Sequence, residues 1–125
     1  MFDKAFQFLK EHKEVAFATS EGNFPKLRIF QIMKQEGHVL YFATSAQKAV
    51  YRELRQNPNV EILAYADNIS VRCSGMVNFN VEDDVKRWIY DHKPKEKTTR
   101  IVAVSKQDTI IRKAEKQGFF QRVHI

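Results

Sequence analysis

The sequence predicts a mainly β domain, an antiparallel barrel of five or six strands with helices packed on its outside. Short runs rich in β-branched and aromatic residues are separated by turn residues at 21–23 and 35–38, which favours antiparallel pairing of neighbouring strands. Residues 69–79 alternate between apolar and polar positions, and Gly75 is where so long a strand would bend as the sheet curls. A length of 125 residues corresponds to one domain over 1–125.

The spacing of apolar residues along the chain predicts six strands. A period of two or a short apolar run predicts strands at 15–19, 26–33, 39–43, 60–66, 69–79 and 100–105. In the second of these, Leu27 and Ile29 share one face, whereas Lys26, Arg28 and Phe30 share the other.

A period near 3.6 predicts four helices outside the barrel. They are expected at 2–9, at 46–56 with Ser45 as N-cap and a stop at Asn57-Pro58, at 82–90 after Asn80, and at 108–117 before Gly118. The third helix is expected to bury Val85, Trp88 and Ile89.

The composition and the net charge restrict the kind of protein that this chain can be. The hydrophobic fraction of 43% and ten Phe predict a compact interior, and the net charge of +6 suits an anionic partner or a solvated basic surface. We expect a soluble cytoplasmic protein, because there is no long apolar run and no export leader. The one cysteine, Cys73, is expected to be a buried structural thiol. The four His are far apart in sequence, so we predict no metal site.

The corner between the third strand and the second helix is the candidate binding site. Thr44, Ser45 and Lys48 would place two hydroxyls and an ammonium beside the free N–H groups of a helix N-terminus, which together suit a phosphate. Arg28 is a candidate second cation, because a guanidinium can grip a phosphate with two hydrogen bonds. The alternative is that these are ordinary surface cations. Arg72 is either solvated or in contact with another subunit.

Four segments in order resemble the pyridoxamine 5′-phosphate oxidase-like FMN-binding split barrels. They are Lys26-Leu-Arg-Ile-Phe-Gln-Ile-Met33, Leu40-Tyr-Phe-Ala-Thr-Ser-Ala-Gln-Lys-Ala-Val-Tyr-Arg-Glu-Leu54, Asn57-Pro-Asn-Val60 and Ile69-Ser-Val-Arg-Cys-Ser-Gly-Met-Val77. The resemblance covers about residues 1–91, and residues 92–125 form an atypical C-terminal segment. It implies a six-stranded antiparallel split β-barrel that binds FMN at the interface of a homodimer.

The resemblance also implies which residues hold the cofactor. Arg28 and Lys48 would bind the FMN phosphate with Thr44 and Ser45, and the backbone of Ile29, Phe30 and Gln31 would follow the edge of the flavin ring. Phe42 and Ala43 would complete the wall, while Arg72 and Ser74 would lie near the dimer seam. No catalytic acid or base is expected, because the flavin performs the chemistry.

Two alternatives remain open at the level of sequence. The first is a basic nucleic-acid-binding barrel, in which exposed aromatic residues such as Phe30 and Tyr65 stack on bases. The second is the same split barrel binding haem, a deazaflavin or no cofactor. The physiological electron donor and substrate of a flavin-dependent oxidoreductase are not encoded in any motif of this chain.

Overall fold

A computed structural model describes residues 2–92 and 96–113, with the side chains of Phe2 and Asp3 left undescribed. The elements, in chain order, are α1 (Phe2–Glu11), β1 (Glu14–Glu21), β2 (Phe24–Gln31), β3 (Lys34–Glu36), β4 (Val39–Ser45), α2 (Ala49–Gln56), β5 (Asn59–Ala66), β6 (Ile69–Asn78), α3 (Asp83–His92) and β7 (Thr99–Lys113). The strands form one sheet in the order β2-β1-β5-β6-β7-β4-β3, and every pairing is antiparallel.

The mainly β antiparallel prediction is confirmed, but the predicted count of six strands is wrong. The described sheet has seven strands, with β2 and β3 at its two edges, so that it does not close. The additional strand is β3 (Lys34–Glu36), which follows the predicted second strand and includes the first two residues of the predicted turn at 35–38. So short a strand carries no periodicity of its own, and its pairing with β4 defines it.

The position at which a bend was predicted, Gly75, lies beside an irregularity in the pairing of β6 with β7, where Gln107 of β7 has no partner in β6. The register between β6 and β7 shifts between Ser74 and Gly75, as expected for a bulge that lets a long strand curve. A Cβ atom at position 75 would lie 2.5 Å from Val104 Cγ1 and 2.9 Å from the carbonyl oxygen of Ser105. Only glycine therefore permits this close approach of the two strands.

The main core fills the concave side of the sheet. Its largest fully buried side chains include Phe17, Phe42, Leu9, Leu40 and Leu54, so that α1 and α2 both pack into it. Cys73 is buried here as predicted, and burial raises the pKa of its thiol.

A second core cluster lies under α3 and contains Val81, Val85, Ile89, Ile101 and Ala103. The predicted burial of Trp88 is wrong, because its side chain is 41% exposed. The indole instead stacks on His92 with ring centroids 4.1 Å apart, and the ammonium of Lys34 lies 4.3 Å from the ring centroid. The helix itself begins at Asp83, so Asn80 is not its N-cap.

The predicted helix over 108–117 is wrong for its described part. Residues 108–113 continue β7, and each of them pairs with a residue of β6. The pairing partner decides the conformation, since β-branched Thr109, Ile110 and Ile111 suit a strand. The predicted strand at 100–105 is confirmed as the first half of β7, and residues 114–118 lie outside the described residues.

The described helices are short compared with the thickness of a bilayer. Within residues 2–92 and 96–113, no helix is long and apolar enough to cross a membrane.

Candidate functional site

The corner between β4 and α2 is built by a turn of three residues between Ser45 and Ala49. The helix begins at Ala49 with Lys48 in the N-cap position, where the backbone is extended (φ −81°, ψ 148°). Lys48 makes no capping hydrogen bond, and the first turn of α2 contains no acidic residue. The free N–H groups and the exposed ammonium leave the corner positive.

The predicted role of Ser45 as N-cap is wrong, because the helix starts three residues later than its apolar spacing suggests. The Ser45 hydroxyl accepts the N–H of Gln47 at 3.2 Å and donates to Thr98 Oγ1 at 2.9 Å. The N–H of Ala46 donates to the carbonyl oxygen of Thr98 at 2.8 Å. Ser45 therefore fastens the corner to the segment before β7 and still lies beside Lys48.

Thr44 supplies a buried polar group without a partner. Phe42 and Thr44 point towards the interior of the sheet, and Thr44 is only 7% exposed. Its Oγ1 has no hydrogen-bond partner among the described residues. An unpartnered buried hydroxyl costs about 1–3 kcal/mol. A polar group beside this corner would satisfy it, which fits a bound cofactor.

Arg28 lies on the inner face of β2, where it belongs to a three-residue network. Its Nη2 donates to Glu53 Oε1 at 2.9 Å and its Nη1 donates to Thr19 Oγ1 at 3.0 Å. The Thr19 hydroxyl in turn donates to the same Glu53 oxygen at 2.7 Å. The guanidinium is therefore attached to α2, the helix whose N-terminus carries Lys48, and its Nη1 also donates to the carbonyl oxygen of Phe17 at 3.5 Å.

Glu53 is the functional-site residue that the sequence analysis missed. It is the only acidic residue of α2, and it is 3% exposed. A signal was present, because Glu53 lies three residues after Val50 and directly before Leu54, beside the apolar stripe of the helix. An acid in that position needs a buried cation, and Arg28 provides it.

The neighbouring residues of β2 divide between the two faces of the sheet. Phe30 packs inside, with its ring centroid 4.9 Å from that of Phe17 and 5.9 Å from that of Phe42. Phe30 is thus not the exposed base-stacking aromatic residue expected for a nucleic-acid-binding barrel, although Tyr65 is 53% exposed. Ile29 faces outward and is 67% exposed, and Gln31 is also exposed.

The structure does not bring Arg72 and Ser74 to the corner within one chain. Arg72 is exposed and lies 3.8 Å from Glu61, while the Ser74 hydroxyl accepts the N–H of Asp108 at 3.3 Å. Along β7, Ser45 pairs with Thr99 and Ser74 pairs with Asp108. Those partners are nine residues apart (108 minus 99), or roughly 30 Å along a strand.

The family comparison covers almost the whole chain. The model of the family described as pyridoxamine 5′-phosphate oxidase matches residues 1–116. The chain belongs to the pyridoxamine 5′-phosphate oxidase family. The match continues beyond Asp91, where the resemblance in sequence ends, and includes all of β7. A comparison with curated protein sequences found no significant match.

Solved structures of other proteins have the same fold as this chain. A proposed pyridoxamine 5′-phosphate oxidase of Listeria innocua superposes with a TM-score of 0.81 at 18% identity, covering 90% of this chain and 98% of that one. A nimC/nimA family protein of Clostridium acetobutylicum gives 0.76 at 25% identity, covering 90% and 87%. An FAD-binding protein of Mesorhizobium loti gives 0.74 at 13% identity, covering 92% and 96%. This member of the family therefore has the full split-barrel fold.

Proposed function

We propose that this protein binds FMN at the boundary between two copies of the chain and acts as a flavin-dependent oxidoreductase. The observation that carries the proposal is the uncapped N-terminus of α2, where Lys48 has no ion-pair partner among the described residues. A cation at a helix N-terminus is unfavourable by about 0.3–1 kcal/mol unless an anion lies beside it. A phosphate at this corner removes that cost.

Each candidate residue has a part in holding the cofactor. Lys48, the Ser45 hydroxyl and the first-turn N–H groups of α2 would bind the phosphate, and the free donors of Arg28 would extend to it. Glu53 and Thr19 fix the direction of the guanidinium. The flavin supplies the transfer of hydride or electrons, and the chain binds and orients it. The backbone of residues 29–31 and the end of β4 would form the wall beside the ring.

The chemistry of the corner favours a phosphate-bearing cofactor over haem. Solved structures of this fold include an F420 reductase and HutZ, the heme storage protein of Vibrio cholerae, besides the FAD-binding protein. A flavin nucleotide carries a phosphate that Lys48 and the helix N-terminus can bind, whereas haem carries only carboxylates and needs an axial ligand. The positive corner therefore supports a flavin nucleotide for this chain.

An exposed apolar face supports the dimer. On the outer side of the sheet, Ile29 pairs with Ala16, and Ala16 pairs with Leu63. Leu27 beside them is 72% exposed, and Leu63 is 41% exposed. Large apolar side chains side by side on a sheet face are typical of a surface that another protein covers. A second copy on this face would also bring the partner's β6, and thus the partner's Arg72 and Ser74, towards the cofactor.

Lys48 provides the direct test of the flavin site. Replacing Lys48 by alanine should weaken FMN binding roughly tenfold or more, because a hydrogen bond between charged groups contributes about 1.5–3 kcal/mol. Lys48→Glu should weaken it further. Binding is measured by quenching of FMN fluorescence, with the melting temperature of each variant as a check on folding.

Riboflavin and Lys4 supply the controls for this test. Riboflavin lacks the phosphate, so its affinity should be the same in wild type and Lys48→Ala. Lys4→Ala removes an exposed lysine of α1 and should leave FMN affinity unchanged. Equal FMN affinity in wild type and in both Lys48 variants would disprove the phosphate site.

The dimer has a test of its own. Leu63→Lys places a charge in the middle of the apolar face and should shift the protein from dimer to monomer in analytical ultracentrifugation, with a parallel loss of FMN affinity. The control is Ile111→Lys, since Ile111 is also exposed but pairs with buried Val71 and so belongs to the other face. A Leu63→Lys protein that stays dimeric would show that this face is not the interface.

A further inference from the structure

A cavity of about 590 Å³ lies between α3, α2 and the start of β7. Its lining residues are Tyr51, Phe79, Asp83, Lys86, Arg87, Tyr90, Lys97, Thr99, Arg100 and Ile101. The volume falls in the range of roughly 300–1,000 Å³ that is typical of sites for small molecules. None of the candidate flavin-binding residues lines it, although it adjoins the corner between β4 and α2, because the lining residues Thr99 and Arg100 pair with Ser45 and Thr44.

The walls of this cavity carry a strong excess of positive charge. Lys86, Arg87, Lys97 and Arg100 contribute cations, and Asp83 is the only carboxylate among the lining residues that the structure describes. No ion pair of Lys86, Arg87 or Lys97 occurs within the described part of the chain. A recess lined by charges of one sign concentrates ions of the opposite sign, so the cavity suits an anion.

Arg100 is an exposed cation of the lining whose guanidinium donates to nearby backbone. Its Nη1 donates to the carbonyl oxygens of Lys97 at 3.3 Å and Thr99 at 3.0 Å. These bonds hold the guanidinium at the start of β7, and its other N–H donors remain for a ligand. A guanidinium held in this way loses little conformational entropy when it binds a phosphate.

Aromatic side chains line the same cavity. Tyr51 and Phe79 pack edge to face with ring centroids 5.5 Å apart, and Tyr90 lies on α3 beside Lys86 and Arg87. Buried Ile101 forms an apolar part of the wall. Aromatic rings next to cations bind ligands that combine a planar ring with phosphate, since stacking on a base contributes about 1–3 kcal/mol.

We propose that this cavity is a second ligand site that binds a nucleoside diphosphate or a phosphorylated aromatic molecule of similar size. The diphosphate contacts Lys86, Arg87 and Arg100, and the ring packs against the aromatic wall of Tyr51, Phe79 and Tyr90. The proposal goes beyond the flavin site and does not depend on it, because the two sites share no residue.

Calorimetric titration with ADP tests the proposal on the full chain, both alone and saturated with FMN. ADP should bind in both cases. Adenosine lacks the diphosphate and inorganic pyrophosphate lacks the aromatic ring, so each should bind at least roughly tenfold more weakly than ADP. Lys86→Gln and Arg87→Gln should each weaken ADP binding roughly fivefold to tenfold. Asp83→Asn should strengthen it, since it removes a carboxylate from the lining.

The control for these variants is Lys4→Gln, which removes a helical lysine away from the cavity. Equal ADP affinity in wild type, Lys86→Gln and Arg87→Gln would overturn the proposal. Competition between FMN and ADP for one site would also overturn it, because the cavity would then not be separate. Pyrophosphate binding as tight as ADP binding would show that the aromatic wall plays no part, and would equally overturn the assignment.

Discussion

Replacing Glu53 by alanine should lower the free energy of unfolding by about 3 kcal/mol or more, because it leaves a partly buried guanidinium without its counter-ion. The Glu53 carboxylate is almost fully inside the protein, and Arg28 retains 23% exposure of its side chain. The substitution also removes the acceptor for the Thr19 hydroxyl. Chemical denaturation with urea, followed by circular dichroism, measures the loss.

The matched control is the exposed pair between Arg72 and Glu61. Its atoms are 3.8 Å apart and both side chains are more than half exposed, so Glu61→Ala should cost at most about 1 kcal/mol. A double-mutant cycle with Glu53→Ala and Arg28→Ala should give a coupling energy above about 1 kcal/mol. If Glu53→Ala is no more destabilising than Glu61→Ala, the network does not stabilise the fold.

The same network connects stability with the proposed flavin site. Glu53 lies on α2 and Arg28 on β2, so their ion pair fixes the helix that presents Lys48 relative to the strand whose backbone would border the flavin ring. Glu53→Gln keeps the size and an acceptor oxygen but removes the charge. It should therefore destabilise less than Glu53→Ala.

Strands with a repeated pattern were predictable from the sequence. In β6 the buried residues Val71, Cys73 and Val77 alternate with exposed Arg72 and Met76, so the period of two identified both the strand and its faces. The end of α2 was also predictable, because Pro58 disfavours a helical conformation at Asn57. In both cases the residues within the element or directly beside it determine the conformation.

Features that depend on distant partners could not be predicted. Residues 108–113 form a strand because β6, which is more than 30 residues away in sequence, lies beside them. On β2 the alternation separated Leu27 and Ile29 from Arg28, but it did not show which face is inside. Burial of Arg28 becomes possible only with Glu53, which is 25 residues away in sequence. The cations of the proposed site could therefore be named from the sequence, and their role stays a prediction, whereas the internal counter-ion Glu53 was missed.

Position 75 should tolerate no side chain. Gly75→Val should lower the free energy of unfolding by about 3 kcal/mol, which is the upper end of the usual range for overpacking. Even the Cβ of alanine would lie 2.9 Å from the Ser105 carbonyl oxygen and 2.5 Å from Val104 Cγ1, so Gly75→Ala should cost about 2 kcal/mol. Thermal and urea unfolding measure both. Met76→Val, at the exposed neighbouring position, is the control and should change stability by less than about 0.5 kcal/mol.

A second substitution separates the two contacts at Gly75. Val104→Ala removes the Cγ1 atom that a Cβ at position 75 would meet, but the backbone oxygen of Ser105 stays in place. The Gly75→Ala/Val104→Ala pair should therefore be less destabilising than the sum of the two single changes, yet still less stable than Val104→Ala alone. If the costs of the two single changes add exactly, the strands move apart at the bulge without cost, so that a Cβ at position 75 does not clash with Val104. The residual cost should persist, because β7 is held there by its pairing with both β6 and β4.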